Sequence, residues 1–265
     1  MYEFNYHRPA SLDEAKQILS GNDEAKLLGG GMTLLPTMKM RLAQPSDLID
    51  LSAIASLSGI EAAGETITIG AMTTHAQVAA SAEVGSRIAA LAALASGIGD
   101  AQVRNRGTIG GSVANSDPAA DYPAAVLGLN ATVVTDEREI AADDFFTGMF
   151  ETALGPQEIL TAIRFPLPKR AGYAKFPNPA SRYAVAGVMV AETDNGVRVA
   201  VTGAGANAYR IGEMESALSA NFSASALDGL TVDASELNGD LHASPEYRAH
   251  LVVIMAKRAV VAAGG

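Results

Sequence analysis

Residues 27–36 read LLGGGMTLLP, in which three consecutive glycines stand between two apolar runs. Glycine adopts positive φ angles without a clash at Cβ, so such a run can turn several backbone N–H groups into one concavity. That geometry suits a phosphate group. A tight turn between two buried elements would use the same residues, so this stretch alone leaves both interpretations open.

A second glycine cluster, GTIGGS at residues 107–112, follows about eighty positions later. Each cluster stands beside a predicted strand, and two such close backbone approaches indicate convergence on one ligand. A pyrophosphate fits, because each segment can offer amides to a phosphate. The hydroxyls of Thr33, Thr108 and Ser112 would add hydrogen-bond donors.

Other nucleotide-binding and catalytic motifs are absent from the sequence. Neither glycine cluster is followed by the Lys-Ser/Thr pair of a P-loop. Neither gives G-x-G-x-x-G between a strand and a helix with an acidic residue about twenty positions later. No histidine stands in an H-E-x-x-H pair and no serine in G-x-S-x-G, so hydrolytic and metal chemistries are poorly represented.

Composition excludes several classes of protein. The chain has 265 residues, 48% of them hydrophobic, and a net charge of −10, which argues against nonspecific nucleic-acid binding. It has no cysteine, so disulfides, thiolate zinc sites, iron–sulfur clusters and a cysteinyl flavin bond are excluded within this chain. No apolar run is long enough to span a membrane, and the start lacks a signal-peptide pattern. We therefore expect a cytoplasmic protein.

Periodicity divides the chain into three predicted units, with residues 166–170 as a linker between the second and the third. The expected units are residues 1–54, 55–168 and 169–265. Helices are predicted from the 3.6-residue period and from capping residues at 11–21, 84–98, 118–127, 211–220 and 246–262. Strands are predicted at 25–28, 47–51, 66–70, 131–135, 158–165, 183–191 and 197–203, the last two joined by the hairpin signal Asn195-Gly196.

Six longer motifs carry a resemblance to a known family. They are LLGGGMTLLPTMKMRLAQPSDLIDL, TIGAMTTHAQV, RNRGTIGGSVANSDPAADYPAAVLGLNA, EILTAIRFP, YAKFPNPASRYAVAGVMVA and EYRAHLVVIMAKRAV. In this order they resemble the FAD-binding medium subunit of molybdenum hydroxylases, over nearly the whole chain. That family includes the flavoprotein subunit of aerobic carbon monoxide dehydrogenase and the flavin domain of xanthine dehydrogenase.

The resemblance implies an α+β fold. Residues 1–54 and 55–168 would form a two-subdomain FAD-binding fold of the PCMH/vanillyl-alcohol-oxidase type. Residues 169–265 would form a C-terminal α/β domain of the carbon monoxide dehydrogenase flavoprotein type, with a small three-stranded antiparallel sheet and a helical bundle.

The resemblance also implies a set of cofactor-binding residues, and no catalytic residue or metal ligand. Two segments would hold the FAD pyrophosphate, Asp121 the adenosine ribose, and Tyr183 would lie against the flavin ring; Leu160 and Lys175 match positions near the flavin. The segments are Gly29, Gly30, Gly31, Met32, Thr33 and Leu34, and Thr108, Ile109, Gly110, Gly111 and Ser112. Ser112 replaces the asparagine frequent in the family, which removes one amide.

The implied function is that of a flavoprotein subunit. Electrons would pass from [2Fe-2S] clusters of a small partner subunit to noncovalent FAD and then to an external acceptor. A large partner subunit would carry the molybdenum cofactor, in a dimer of heterotrimers. Met32 stands where a histidyl flavin bond might be imagined, so no covalent attachment is expected. The alternative is a self-contained FAD-dependent reductase of the same fold type.

Overall fold

The computed structural model describes all 265 residues, from Met1 to Gly265. The strands are β1 (Asn5–His7), β2 (Lys26–Leu28), β3 (Asp47–Asp50), β4 (Ile60–Ala63), β5 (Thr66–Gly70), β6 (Thr132–Thr135), β7 (Glu139–Ala141), β8 (Phe146–Gly148), β9 (Glu151–Thr152), β10 (Leu160–Pro166), β11 (Arg170–Pro177), β12 (Ala184–Thr193), β13 (Gly196–Thr202) and β14 (Tyr209–Arg210). The helices are α1 (Leu12–Ser20), α2 (Leu34–Lys39), α3 (His75–Ala80), α4 (Ala82–Arg87), α5 (Ala89–Ser96), α6 (Ala101–Arg106), α7 (Ile109–Asn115), α8 (Tyr122–Gly128), α9 (Ala142–Phe145), α10 (Gly212–Ala220) and α11 (Pro245–Ala262). The α+β class is confirmed.

The first sheet is small and parallel, in the order β1-β3-β2. Helix α1 begins as predicted, because the Ser11 side chain accepts a hydrogen bond from the Glu14 N–H at 3.2 Å. Gly21 follows the end of this helix. The carboxyl end of β2 leads directly into Gly29, so the first glycine segment lies at the edge of this sheet.

The second sheet is antiparallel, in the order β4-β5-β10-β6-β7. In β5, whose sequence TITIG is rich in β-branched residues, buried and partly exposed side chains alternate, and Ile67 and Ile69 are completely buried. β10 pairs with β5 on one side and with β6 on the other, although it comes last of the five along the chain. Helix α7, which carries the second glycine cluster, packs beside this sheet.

One predicted helix in this part of the chain is interrupted. Residues 84–98 were expected to be continuous, but α4 ends at Arg87 and α5 begins at Ala89. Ile88, between them, has φ −136° and ψ 67°, outside the helical region. Its side chain is 1% exposed within the main core, so burial of Ile88 stabilises the break that periodicity did not indicate.

The third sheet is an antiparallel meander, β11-β12-β13-β14. Its three long strands match the predicted sheet, and the two-residue strand β14 extends it at one edge. The hairpin at Asn195-Gly196 is confirmed, with Gly196 at φ +104°. Helix α11 lies against β11, where a Cβ on Gly172 would be 2.0 Å from the Ala259 carbonyl oxygen.

The hydrophobic cores do not follow the predicted unit boundaries strictly. The largest cluster is built mainly from the second sheet and its helices, yet it includes Met189 and Ala200 of the C-terminal sheet. The division at residues 54 and 168 into separate folding units therefore stays a prediction. No helix has both the length and the apolar character needed to cross a membrane.

Candidate cofactor site

The two glycine segments are in direct contact. A Cβ on Gly30 would lie 1.9 Å from the carbonyl oxygen of Arg106 and 2.7 Å from Cα of Gly107. A Cβ on Gly29 would lie 3.0 Å from the Thr108 hydroxyl oxygen. The two segments therefore meet, as convergence on one ligand would require, and Gly30 permits their close approach.

The first segment presents a row of unpaired donors. The N–H groups of the five residues 29–33 donate to no backbone carbonyl of the chain. Gly31 adopts φ +73°, a conformation that favours glycine. These residues are not buried, so water can reach their N–H groups, and a row of unpaired donors along a cavity wall is suited to binding an anion.

The second segment differs from the expectation that it would also offer amides. It forms the first turn of α7, capped by Thr108. The N–H groups of Ile109 and Gly110 pair with the carbonyls of Thr73 and Ala71 at 3.0 and 2.9 Å. The N–H groups at 111 and 112 bond to the hydroxyl and carbonyl oxygens of Thr108. Of the five amides at 108–112, only that of Thr108 has no acceptor within the chain, so this segment contributes mainly hydroxyl groups and a close backbone surface.

A cavity of about 610 Å³ lies beside both segments, within the usual range for small-molecule sites. One group of lining residues belongs to or adjoins the core of the N-terminal sheet: Leu19, Ala25, Leu51, Met72, Ile159 and Leu160. A second group comes from α5–α6, the start of α8 and the turn before β12: Ile98, Gly99, Asp117, Asp121, Arg182 and Tyr183.

The first glycine segment connects these two groups. A Cβ on Gly29 would lie 3.9 Å from the sulfur of Met72, in the first group. At the other end of the segment, the Thr33 side chain lies near the Tyr183 hydroxyl. Burial and the charge of Asp117 raise the pKa of Tyr183, and the contact with Thr33 opposes that rise. The unpaired amides therefore lie between an apolar group and a group that carries an aromatic ring and two carboxyls.

Asp121 lies in the group that contains Tyr183. Its carboxylate accepts hydrogen bonds from the Tyr173 hydroxyl and from Lys175 Nζ, the latter at 3.0 Å. Burial raises the pKa of Asp121, and Lys175 and Tyr173 oppose that rise. A ligand with its phosphates at residues 29–33 would have one ring system on each side. Asp121 and Tyr183 both line the cavity, and their implied roles at the adenosine ribose and at the flavin ring stay predictions.

Two of the implied cofactor-binding residues do not lie on the cavity wall. The Ile109 side chain is completely buried in the main core. Lys175 lies behind Asp121, where its ammonium donates to the carbonyls of Gly97 and Arg182 at 2.9 and 3.0 Å. The other implied residues line the cavity: Gly29, Gly30, Gly31, Met32, Thr33, Leu34, Thr108, Gly110, Gly111, Ser112, Asp121, Leu160 and Tyr183.

The cavity also has lining residues that sequence reasoning missed. His75 is buried beneath the second segment, and a Cβ on Gly107 would lie 2.5 Å from its Nε2. Burial, with the nearby Arg104 charge, lowers the pKa of His75 to about 4, so its ring is neutral at pH 7. Phe150 is 56% exposed at φ 57°, and its N–H donates to the Ser116 carbonyl at 3.1 Å. The motif TIGAMTTHAQV contains His75 but gave it no role in the site, and no local signal pointed to Phe150.

The predicted helix at 118–127 begins later, at Tyr122. Asp117 does not cap a helix; its side chain accepts from the Ala119 N–H at 2.9 Å and closes a turn. Asp121 stands at the N-cap position but makes no capping bond. The late start places the Asp121 carboxylate against Tyr173 and Lys175.

A glycine segment with unpaired amides, packed against a second glycine segment at the wall of a cavity of about 610 Å³, is typical of a protein that binds a dinucleotide-type cofactor. Comparison with known families identifies which one. The model of the FAD binding domain in molybdopterin dehydrogenase matches residues 2–168. The chain therefore belongs to this family, and the resemblance inferred from the sequence motifs is confirmed.

Individual relatives cover almost the whole chain. The nicotine 6-hydroxylase medium subunit of Paenarthrobacter nicotinovorans is 36% identical, over 98% of this chain and 96% of its own length. The carbon monoxide dehydrogenase medium chain of Hydrogenophaga pseudoflava is also 36% identical, with the same two coverages. A solved structure of carbon monoxide dehydrogenase from that organism matches 99% of this chain and 98% of its own, with a TM-score of 0.90 and 36% identity.

Proposed function

We propose that this chain is the FAD-carrying subunit of a molybdenum hydroxylase complex, and that it passes electrons from [2Fe-2S] clusters of a partner subunit to an external acceptor. The observation that carries the proposal is the row of five unpaired N–H groups at residues 29–33, held against the second glycine segment at the cavity wall. FAD bound there supplies the exchange of electrons in single or paired steps. Its binding is noncovalent, since the chain has no cysteine and Met32 occupies the loop.

We propose one orientation of the cofactor in the cavity. The pyrophosphate would lie at residues 29–33, where the amides are unpaired, with the hydroxyls of Thr108 and Ser112 opposite. The adenosine would occupy the apolar group, so Leu160 would lie on the adenosine side and not at the flavin. The flavin would occupy the group with Tyr183, so Asp121 would lie on the flavin side and not at the ribose.

The side chains on the flavin side have distinct tasks in this proposal. Tyr183 is 43% exposed, and its ring would stack on the flavin and limit access from that side. Asp121 keeps its carboxylate at the cavity wall because Lys175 and Tyr173 hold it. The neutral imidazole of His75 packs against Gly107, the first residue of the second glycine cluster.

The proposed assembly contains a large subunit with the molybdenum cofactor and a small subunit with [2Fe-2S] clusters, arranged as a dimer of heterotrimers in the cytoplasm. The relatives above are a medium subunit and a medium chain, which supports a multi-subunit assembly. Several apolar side chains are exposed near the cavity and after α2: Met40, Leu42, Met149 and Phe150. Surface of this kind supports a partner that covers it. The same relatives do not favour the self-contained reductase, because they are named as subunits.

Purification from the native host with a tag on this chain tests the proposal. We expect one FAD per chain, released by acid precipitation, together with iron, molybdenum and two further polypeptides. Flavin mononucleotide should bind far more weakly to the chain expressed alone, because it lacks the second phosphate and the adenosine. Yellow colour retained on the acid pellet would refute noncovalent binding, and rapid oxidation of organic substrates by the isolated chain would refute the role as a subunit.

A further inference from the structure

The turn 178–183 forms part of the cavity wall and ends in Tyr183. The Asn178 N–H donates to the Tyr183 carbonyl at 2.8 Å, and the Arg182 N–H donates to the Asn178 carbonyl at 2.9 Å. Arg182 has φ 63°, a left-handed conformation that a residue with a side chain adopts only when its surroundings hold it. The backbone just before Tyr183 therefore requires an external contact.

Lys175 supplies that contact. Its ammonium donates to the Arg182 carbonyl at 3.0 Å, to the Gly97 carbonyl at 2.9 Å and to the Asp121 carboxylate at 2.9 Å. These three bonds use all of the donors that an ammonium has. The Lys175 side chain is 9% exposed and that of Asp121 is 5% exposed, so solvent screens the pair weakly.

The Lys175 contacts connect separate elements of the fold. Gly97 follows α5, Asp121 precedes α8, and Lys175 itself lies on β11 of the C-terminal sheet. On the same strand, the Tyr173 hydroxyl donates to Oδ1 of the Asp121 carboxylate, and the Lys175 ammonium contacts both carboxylate oxygens. The turn 178–183 is thereby fixed to the main core by one buried ammonium, together with a longer bond from the Arg182 guanidinium to the Gly99 carbonyl at 3.4 Å.

We propose that Lys175 is a positioning residue, which fixes Tyr183 at the cavity wall through the Arg182 carbonyl and does not itself contact the cofactor. The inference rests on the proposed function, because it takes Tyr183 to be the residue that lies against the flavin. More than two fifths of the Tyr183 side chain is exposed, so the placement of the ring depends on its backbone. Loss of the Lys175 contact releases Arg182 from its left-handed conformation and displaces the ring.

A double-mutant cycle on the full, FAD-loaded chain tests this role. Lys175→Met, Tyr183→Ala and the double variant are compared by flavin absorption and by the rate at which ferricyanide reoxidises the chemically reduced protein. We expect both single variants to change the spectrum alike and the rate by about tenfold in the same direction. In the Lys175→Met background, Tyr183→Ala should then alter the rate by less than about twofold.

Two further variants keep the test decisive. Lys175→Met leaves the buried Asp121 carboxylate without its cation, which can prevent folding. In that case the double variant Lys175→Met/Asp121→Asn, which removes both charges, is used in place of Lys175→Met. Lys169→Met removes an exposed ammonium next to β11 and should leave spectrum and rate unchanged.

The outcomes separate this inference from the proposed function. Failure of the wild-type chain to bind FAD would contradict the proposed function itself. FAD binding with additive effects of the two substitutions would overturn the positioning role and show that Lys175 acts on the flavin independently. An unchanged rate in Tyr183→Ala would overturn it as well.

Discussion

Gly30→Ala tests whether contact between the glycine segments is what builds the cofactor site. The added Cβ would stand 1.9 Å from the Arg106 carbonyl oxygen, whereas ordinary contacts begin at 3.4 Å, so the two segments must separate by about 1.5 Å. Overpacking of this kind costs about 1–3 kcal/mol of stability. A shift of this size also moves the unpaired amides of residues 29–33 away from the phosphates.

The expected loss of affinity follows from those amides. Hydrogen bonds to a charged group contribute about 1.5–3 kcal/mol each. Loss of two of them weakens FAD binding by about 3–6 kcal/mol, which is on the order of 10²–10⁴ in the dissociation constant. The assay is titration of FAD-free protein with FAD, followed by flavin fluorescence. Thermal unfolding of the same FAD-free samples measures the change in stability.

Gly85→Ala is the matched control. Gly85 lies in α4, where an added Cβ meets nothing within 4 Å, so alanine should raise stability by about 0.5–1 kcal/mol and leave FAD binding unchanged. Wild-type affinity in Gly30→Ala would show that the stretch is an ordinary turn and that the pyrophosphate lies elsewhere.

Two further predictions concern residues on the cavity wall. Tyr183→Phe should keep the wild-type flavin spectrum and reoxidation rate, because stacking depends on the ring and not on the hydroxyl; a spectrum like that of Tyr183→Ala would show that the hydroxyl matters. His75→Gln should flatten the acid side of the stability curve of the FAD-free chain. The pKa of His75 is about 4 in the folded state and 6.5 when unfolded, so the unfolded state binds the extra proton and stability falls as the pH drops from 6.5 to 4. The wild type should lose about 1.4 kcal/mol per pH unit more than the variant in that window, measured by urea unfolding, and parallel curves would contradict the assignment.

Local signals predicted the parts of the fold that depend on local residues. Ser11 and Gly21 bound α1 because capping is a contact between near neighbours, and Asn195-Gly196 makes a hairpin for the same reason. The glycine stretch at 29–31 revealed a close backbone approach, because no other residue type permits one. What it approaches is Arg106, which no local pattern indicates.

The remaining features depend on tertiary contacts. Ile88 breaks a helix that its periodicity favoured, because its burial in the core is worth more than continuity. The amides at 109 and 110 were predicted to be free, but carbonyls near β5 accept from them. Lys175 was expected at the flavin, yet a carboxylate and two carbonyls from distant elements hold it behind the wall.

The central position of β10 has a consequence for synthesis of the protein. β4–β5 and β6–β7 are hairpins of strands that are close in sequence, and β5 and β6 each pair with β10 on their other edge. β10, residues 160–166, is the last of the five strands to leave the ribosome. Until then the nascent chain carries two open, apolar strand edges, which are prone to aggregation, and a wall of the cavity is missing. We therefore expect a chain that ends before Leu160 to aggregate instead of yielding a shorter flavoprotein, and we expect the cofactor to bind only after translation has passed this strand.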